Sequence, residues 1–170
     1  MQHVLYLLFN EGYASSGGPE LARTDLSGEA IRLARDLRQG QVGEYQVQAA
    51  IAAIHDQAAR HSDTDWSEIL SLYGLLERMT GNPIVRLNRA VAAAMAQGPS
   101  IGLALLNGLG EGLGDNHRPH SVHAHLLEMA GDTRTAIVEF RAAAARTPNL
   151  REQRYLTTKA ARLATELTHD

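Results

Sequence analysis

The stretch HSVHAHLLEMAGDTRTAIVEFRAAAARTP, His120 to Pro148, decides how the rest of the chain is read. It holds two runs of helical periodicity that meet at Gly131-Asp132. Glycine suits a tight turn there because it enters the left-handed backbone region without a Cβ clash. Ala136 and Ala143 let the second helix lie close against its neighbour, and Phe140 between them fills the remaining gap. Pro148 stops the second run, since proline lacks a backbone donor and its ring clashes with the preceding turn. The pattern predicts two short antiparallel helices packed face to face.

Gly131, Ala136, Phe140, Ala143 and Pro148 also fall at the spacings of the tetratricopeptide pattern, whose period is about 34 residues. One period upstream, Gly102, Leu106 and Leu109 occupy equivalent small or apolar positions. A further step reaches Ile69 and the stretch from Tyr73 to Leu76 in the segment that begins with Trp66. Only the last copy matches the pattern well, so the earlier ones are degenerate. Beyond Pro148, Tyr155, Leu156, Ala160, Leu163 and Leu167 line one side of a final segment with charges opposite, as a capping helix requires.

The remaining segments extend this helical reading. Helices are predicted near Gln2–Tyr13, across Leu26–Leu37, and over Tyr45–Ala59, Ile84–Ala96, Ser100–Leu109, Pro119–Ala130, Thr133–Thr147 and Leu150–Leu167. In SDTDWSEILSLYGLLERMTGNP, Asp63 or Thr64 is expected to cap the helix, Asp65 and Glu68 to complement its positive first turn, and Gly81-Asn82-Pro83 to end it. Alternation never lasts and β-branched runs are missing, so no strand is expected. The expected fold is all-α, about eight helices stacked as antiparallel hairpins in a right-handed, tetratricopeptide-like solenoid. It forms one domain over 1–170, with an N-terminal helix pair at 1–39, repeats at 44–149 and a cap at 150–170.

Composition narrows the function classes. Hydrophobic residues make up 44% and charged residues 21%, enough apolar material for a core. The net charge of −3 gives no basic field that would favour nucleic acid. Cysteine is absent, which removes disulfides, thiol catalysis and thiolate metal sites. No apolar run approaches the roughly 20 residues that span a bilayer, and Val4–Phe9 is too short for a signal-peptide core. A soluble, cytoplasmic protein without membrane contact is the expectation.

Taken in series, LYLLFNEGYASSGG (5–18), DLSGEAIRLARDL (25–37), YQVQAAIAAIHDQA (45–58), DTDWSEILSLYGLL (63–76), NPIVRLNRAVAAA (82–94) and the terminal repeat resemble a known family. They are similar to the C-terminal extension of one group of ECF-type (extracytoplasmic function) sigma factors, a tetratricopeptide-like helical domain. The resemblance covers nearly the whole chain in the family's order. It implies a regulatory role through protein contact, modulating transcription initiation by RNA polymerase. The implied partners are the protein's own sigma regions and RNA polymerase, or a signalling protein. The sigma regions that bind DNA and core polymerase are absent from this sequence, so the chain is expected not to bind nucleic acid directly. The family usually has a longer, partly helical segment where Arg38-Gln39-Gly40-Gln41-Val42-Gly43 makes an almost direct bridge here. An alternative reading is a stand-alone tetratricopeptide-like scaffold that binds peptides of other proteins.

Candidate site residues follow from both lines of argument. Asn10, Glu11 and Tyr13 end the first apolar run and serve either as helix-end partners or as an interface; the resemblance places FNEGY at the junction with the sigma regions. Asn88 and Arg89 sit on a helix otherwise lined by Leu87, Val91 and Met95, where an amide and a guanidinium suit a peptide backbone or carboxylate. Trp66, Tyr73, Gly131, Ala136, Phe140, Ala143 and Pro148 are expected to be structural. His120 and His123 share a helix face and are weak metal-ligand candidates, while His125 points elsewhere and Glu128 is the nearest acid. GLGEGLGDN misses phosphate-loop spacing and follows no strand, so it reads as an inter-helix loop. No Ser/His/Asp set can be singled out, and neither an enzyme nor a cofactor is expected.

Overall fold

A computed structural model describes residues 43–57, 64–109 and 116–169. Among the described residues there are seven helices and no strand. They are α1 (Glu44–Gln57), α2 (Trp66–Thr80), α3 (Pro83–Gln97), α4 (Pro99–Asn107), α5 (His117–Ala130), α6 (Thr133–Arg146) and α7 (Leu150–Leu167). The N-terminal pair expected at 1–39 lies outside the described residues, as does most of GLGEGLGDN.

Short polar side chains set where these helices begin. Asp65, Asn82, Asn116, Asp132 and Asn149 each accept a hydrogen bond from a backbone N–H of the following first turn, which satisfies donors that the helix itself leaves open. The cap of α2 is therefore Asp65, whose carboxylate accepts from the Glu68 N–H at 3.0 Å, rather than Asp63 or Thr64. Of three neighbouring residues able to cap, Asp65 is the one placed three positions before that N–H. At the end of α5, Gly131 adopts φ 84°. Its N–H donates to the Glu128 carbonyl, and Asp132 donates to that of Leu127 at 3.0 Å. Asp132 then caps α6, so two residues both close one helix and open the next.

Each helix packs mainly against its neighbours in sequence, and α3 also touches α5. Hairpins α1–α2, α3–α4 and α5–α6 follow one another, and α7 packs on the last. That is the all-helical, repeat-like solenoid expected from the spacing. The core accordingly divides into three clusters in series. Val47, Ile51, Ile69, Tyr73, Leu76, Val85 and Ala92 join α1, α2 and α3. Leu87, Val91, Ala94, Val122 and Leu126 join α3 and α5, with Leu103 and Leu106 of α4 packed against them. Ala124, Leu127, Ala136, Phe140, Ala143, Leu156, Ala160 and Leu163 join α5, α6 and α7.

The repeat positions coincide with the closest contacts. Ala136, Phe140 and Ala143 are fully buried. Gly102, one period before Ala136, lies so near α3 that a Cβ would meet the Ala94 Cβ at 2.6 Å and the Ala90 carbonyl oxygen at 2.7 Å. Only a residue without a side chain permits that approach. Ile69, Tyr73 and Leu76 are buried on α2 in the corresponding place. No helix among the described residues is long and apolar enough to cross a membrane.

Candidate functional site

Helix α5 carries His117, His120, His123 and His125 together with Glu128. Its apolar positions face α3, α4 and α6, while Ser121, His125 and Glu128 recur at i, i+4 and i+7 as a second, polar stripe. Across from them, α7 presents Glu152, Tyr155 and Lys159 at the same kind of spacing. The seam between α5 and α7 is therefore polar although much of it is buried.

Three α5 side chains, His117, His125 and Glu128, make contacts at this seam. His117 Nε2 lies 3.1 Å from Glu152 Oε2, which also accepts a hydrogen bond from the Thr147 hydroxyl at 2.5 Å. His125 is fully buried, set edge-on to Phe140 with ring centroids 4.8 Å apart and stacked on Tyr155 at 6.1 Å. Glu128 forms an ion pair with Lys159 at 2.8 Å, and Arg162 stands 3.7 Å from the same oxygen. Lys159, the one lysine in a chain otherwise supplied with arginine, is thus a buried half of an ion pair.

Burial governs the protonation of this cluster. It pushes His125 down to about 3, with the Lys159 charge adding to the effect, so the imidazole is neutral at physiological pH. The 3.9 Å approach of His125 Nδ1 to Glu128 Oε2 is consequently neither a salt bridge nor a hydrogen bond. Burial, then the Glu128 charge, pushes the Tyr155 phenol up to about 12, and it stays protonated. Ser121 Oγ, both ring nitrogens of His125, Glu128 Oε2 and Glu152 Oε1 are buried without a hydrogen-bond partner. Ser121, His125 and Glu128 share a stripe, yet no hydrogen bond links them into a relay of nucleophile, base and orienting acid.

The other flank of α5 contains the metal-ligand candidates. His120 Nδ1 lies 2.7 Å from Glu139 Oε2, and His123 Nδ1 lies 3.6 Å from Glu139 Oε1. Both imidazoles therefore turn to a carboxylate on α6 rather than to Glu128. Among the described residues, no group of three His, Cys, Asp or Glu side chains is placed to hold a metal ion. Sequence reasoning missed Glu139 because it lies on another helix. Its position immediately before Phe140, and so to one side of the buried stripe, was the available signal.

On α3, Arg89 Nη1 donates to Glu77 Oε2 at 2.6 Å, and Arg86 Nε lies 3.1 Å from Glu77 Oε1. The guanidinium expected to line a groove is thus engaged by α2. Asn88, beside it, is half-buried. Trp66 is half-buried at the start of α2, edge-on to His55 of α1 at 5.3 Å. Pro148, the last of the repeat positions, is exposed in the link between α6 and α7. Asn10, Glu11 and Tyr13 lie outside the described residues.

Against known proteins, residues 1–72 match a family of unknown function, DUF6596. That match takes in α1 and the first half of α2. The chain is also similar to an uncharacterized protein of Rhizobium meliloti (strain 1021), 32% identical over 224 residues, covering 96% of this chain and 53% of the relative. It therefore spans about half the length of the curated relative it matches. The alignment is longer than the 170 residues of the chain, so part of the relative within the matched region faces gaps here. No solved structure gives a significant match.

Proposed function

We propose that this chain is a regulatory protein-interaction domain of an ECF-type sigma factor, a tetratricopeptide-like extension that modulates transcription initiation through contacts with sigma regions, RNA polymerase or a signalling protein. The observation that carries the reading is the ordered series of sequence motifs, from LYLLFNEGY to the repeat ending at Pro148, together with the stack of helical hairpins among the described residues. A solenoid of this kind builds one continuous surface from several short helices, which suits it to hold another polypeptide. The alignment with the rhizobial relative, which is longer than this chain, supports the reading that related proteins carry extra length which this chain lacks.

In this reading the domain works in the cytoplasm without a membrane contact, a cofactor or catalysis of its own. A partner that binds one arrangement of the sigma regions better than another shifts their population between competent and silent states. Co-purification tests it. The chain should retain the matching sigma regions specifically and form no salt-sensitive complex with promoter DNA by itself. Equal retention of unrelated peptides, or a tight promoter complex, would overturn it.

A further inference from the structure

Some arginines of the described residues are engaged by carboxylates. Arg86 and Arg89 close on Glu77, and Arg162 lies against Glu128 and Glu166. By contrast, Arg134 and Arg141 on α6, with Arg151 and Arg154 on α7, are exposed and make no ion pair among the described residues. These four lie on two consecutive helices. Arg134, Val138, Arg141 and Ala145 recur at i, i+4, i+7 and i+11, an exposed stripe opposite the buried one of Ala136, Phe140 and Ala143. The start of α7 lies against the end of α6, because Gln153 Nε2 donates to the Ala144 carbonyl at 3.2 Å. The start of α7, with exposed Leu150, Arg151 and Arg154, is thus adjacent to the end of α6, with exposed Arg141 and Ala145.

Two large apolar side chains stand among these guanidinium groups: Val138 is 61% exposed and Leu150 is 70% exposed. The combination selects a partner chemistry. Guanidinium groups hold carboxylates in paired hydrogen bonds, and Val138 and Leu150 offer apolar surface that side chains of a bound polypeptide can cover. A nucleic-acid backbone would satisfy the charges but leave Val138 and Leu150 unmatched, and it would meet a chain of net charge −3. We propose that the outer face of α6 and the start of α7 docks an acidic polypeptide segment carrying apolar side chains. This rests on the protein-contact reading above and gives it a face and a partner chemistry.

Fluorescence anisotropy with a labelled synthetic peptide of glutamate and leucine residues tests the proposal. A lysine-for-glutamate counterpart and a labelled DNA duplex serve as comparison probes. The acidic peptide should bind in a salt-sensitive manner, and the lysine peptide should not. The paired reversal Arg141→Glu with Arg154→Glu should weaken binding at least about tenfold. Val138→Ser should weaken it at constant salt dependence, and Arg78→Glu on α2 should leave it unchanged. Circular dichroism confirms that each variant keeps its helices, as expected for exposed positions. Unchanged affinity in the paired reversal, absence of acidic-peptide binding, or tighter DNA binding lost in the same reversal would each overturn the proposal. If the paired reversal still co-purified with sigma regions, this docking face would be refuted while the regulatory reading stood.

Discussion

Replacing Gly102 by alanine sets two effects of opposite sign against each other. Inside a helix, alanine is favoured over glycine by about 1 kcal/mol, so local propensity alone makes Gly102→Ala stabilising. Packing opposes it. The added Cβ would lie 2.6 Å from the Ala94 Cβ, 2.7 Å from the Ala90 carbonyl oxygen and 2.9 Å from Leu126 Cδ1. Leu126 can change rotamer, but a backbone oxygen and an alanine methyl cannot move aside, so α4 has to lift away from α3. Overpacking of this kind costs about 1–3 kcal/mol, and the further parting of α3 and α4 strains the cluster that also joins α5. The net expectation is a loss of about 1–2 kcal/mol, or a few degrees in Tm for a chain of this size. Urea and thermal unfolding followed by circular dichroism measure it. Gly108→Ala is the control, since its methyl would meet only the Leu105 carbonyl oxygen at 3.5 Å. A Gly102→Ala protein as stable as the parent, or more stable, would refute the close-packed hairpin stack.

Other expectations concern the seam between α5 and α7. Lys159→Met leaves Glu128 buried without its nearest cation and should cost about 3 kcal/mol, whereas Glu128→Gln with Lys159→Met should recover most of that loss in urea melts. Equal stability of the single and double variants would show that the pair does not act as a unit. His125 has a folded value of about 3 against an ordinary 6.5, so the unfolded chain binds a proton that the folded chain refuses. Its contribution is complete above pH 6.5 and is lost progressively as pH falls toward 3. His125→Leu should therefore flatten the decline in stability between pH 6.5 and 5, and parallel profiles for parent and variant would contradict a neutral buried imidazole. Phe140→Ala should cost about 3–5 kcal/mol by opening the space that the ring fills between α5 and α7, and a loss below 1 kcal/mol would contradict its central place in that cluster.

How much of this was legible in the sequence depends on whether the determining contacts are local. The turn at Gly131-Asp132 could be read because its glycine, its cap and its two flanking periodicities lie within a few residues of one another. The buried stripe of Ala136, Phe140 and Ala143 was legible for the same reason. The start of α2 was harder, since Asp63, Thr64 and Asp65 are consecutive residues that can each cap, and only the final backbone path chooses Asp65. Polar pairs between helices were not legible. Glu77 with Arg89, Glu139 with His120, and Glu128 with Lys159 depend on which helix faces lie side by side. Hydrophobic spacing gives the buried face of a helix but does not identify the partner of a polar group at its edge. Arg89 illustrates the consequence: spacing places its guanidinium on a helix but does not show its contact with Glu77 of the neighbouring helix.

Titration calorimetry of this chain against the separately purified, matching sigma regions tests the central claim most directly. A saturable 1:1 complex with a negative heat-capacity change, formed without promoter DNA, is the predicted result. Titrations that give only heats of dilution, while the chain keeps its helices and unfolds cooperatively, would contradict it.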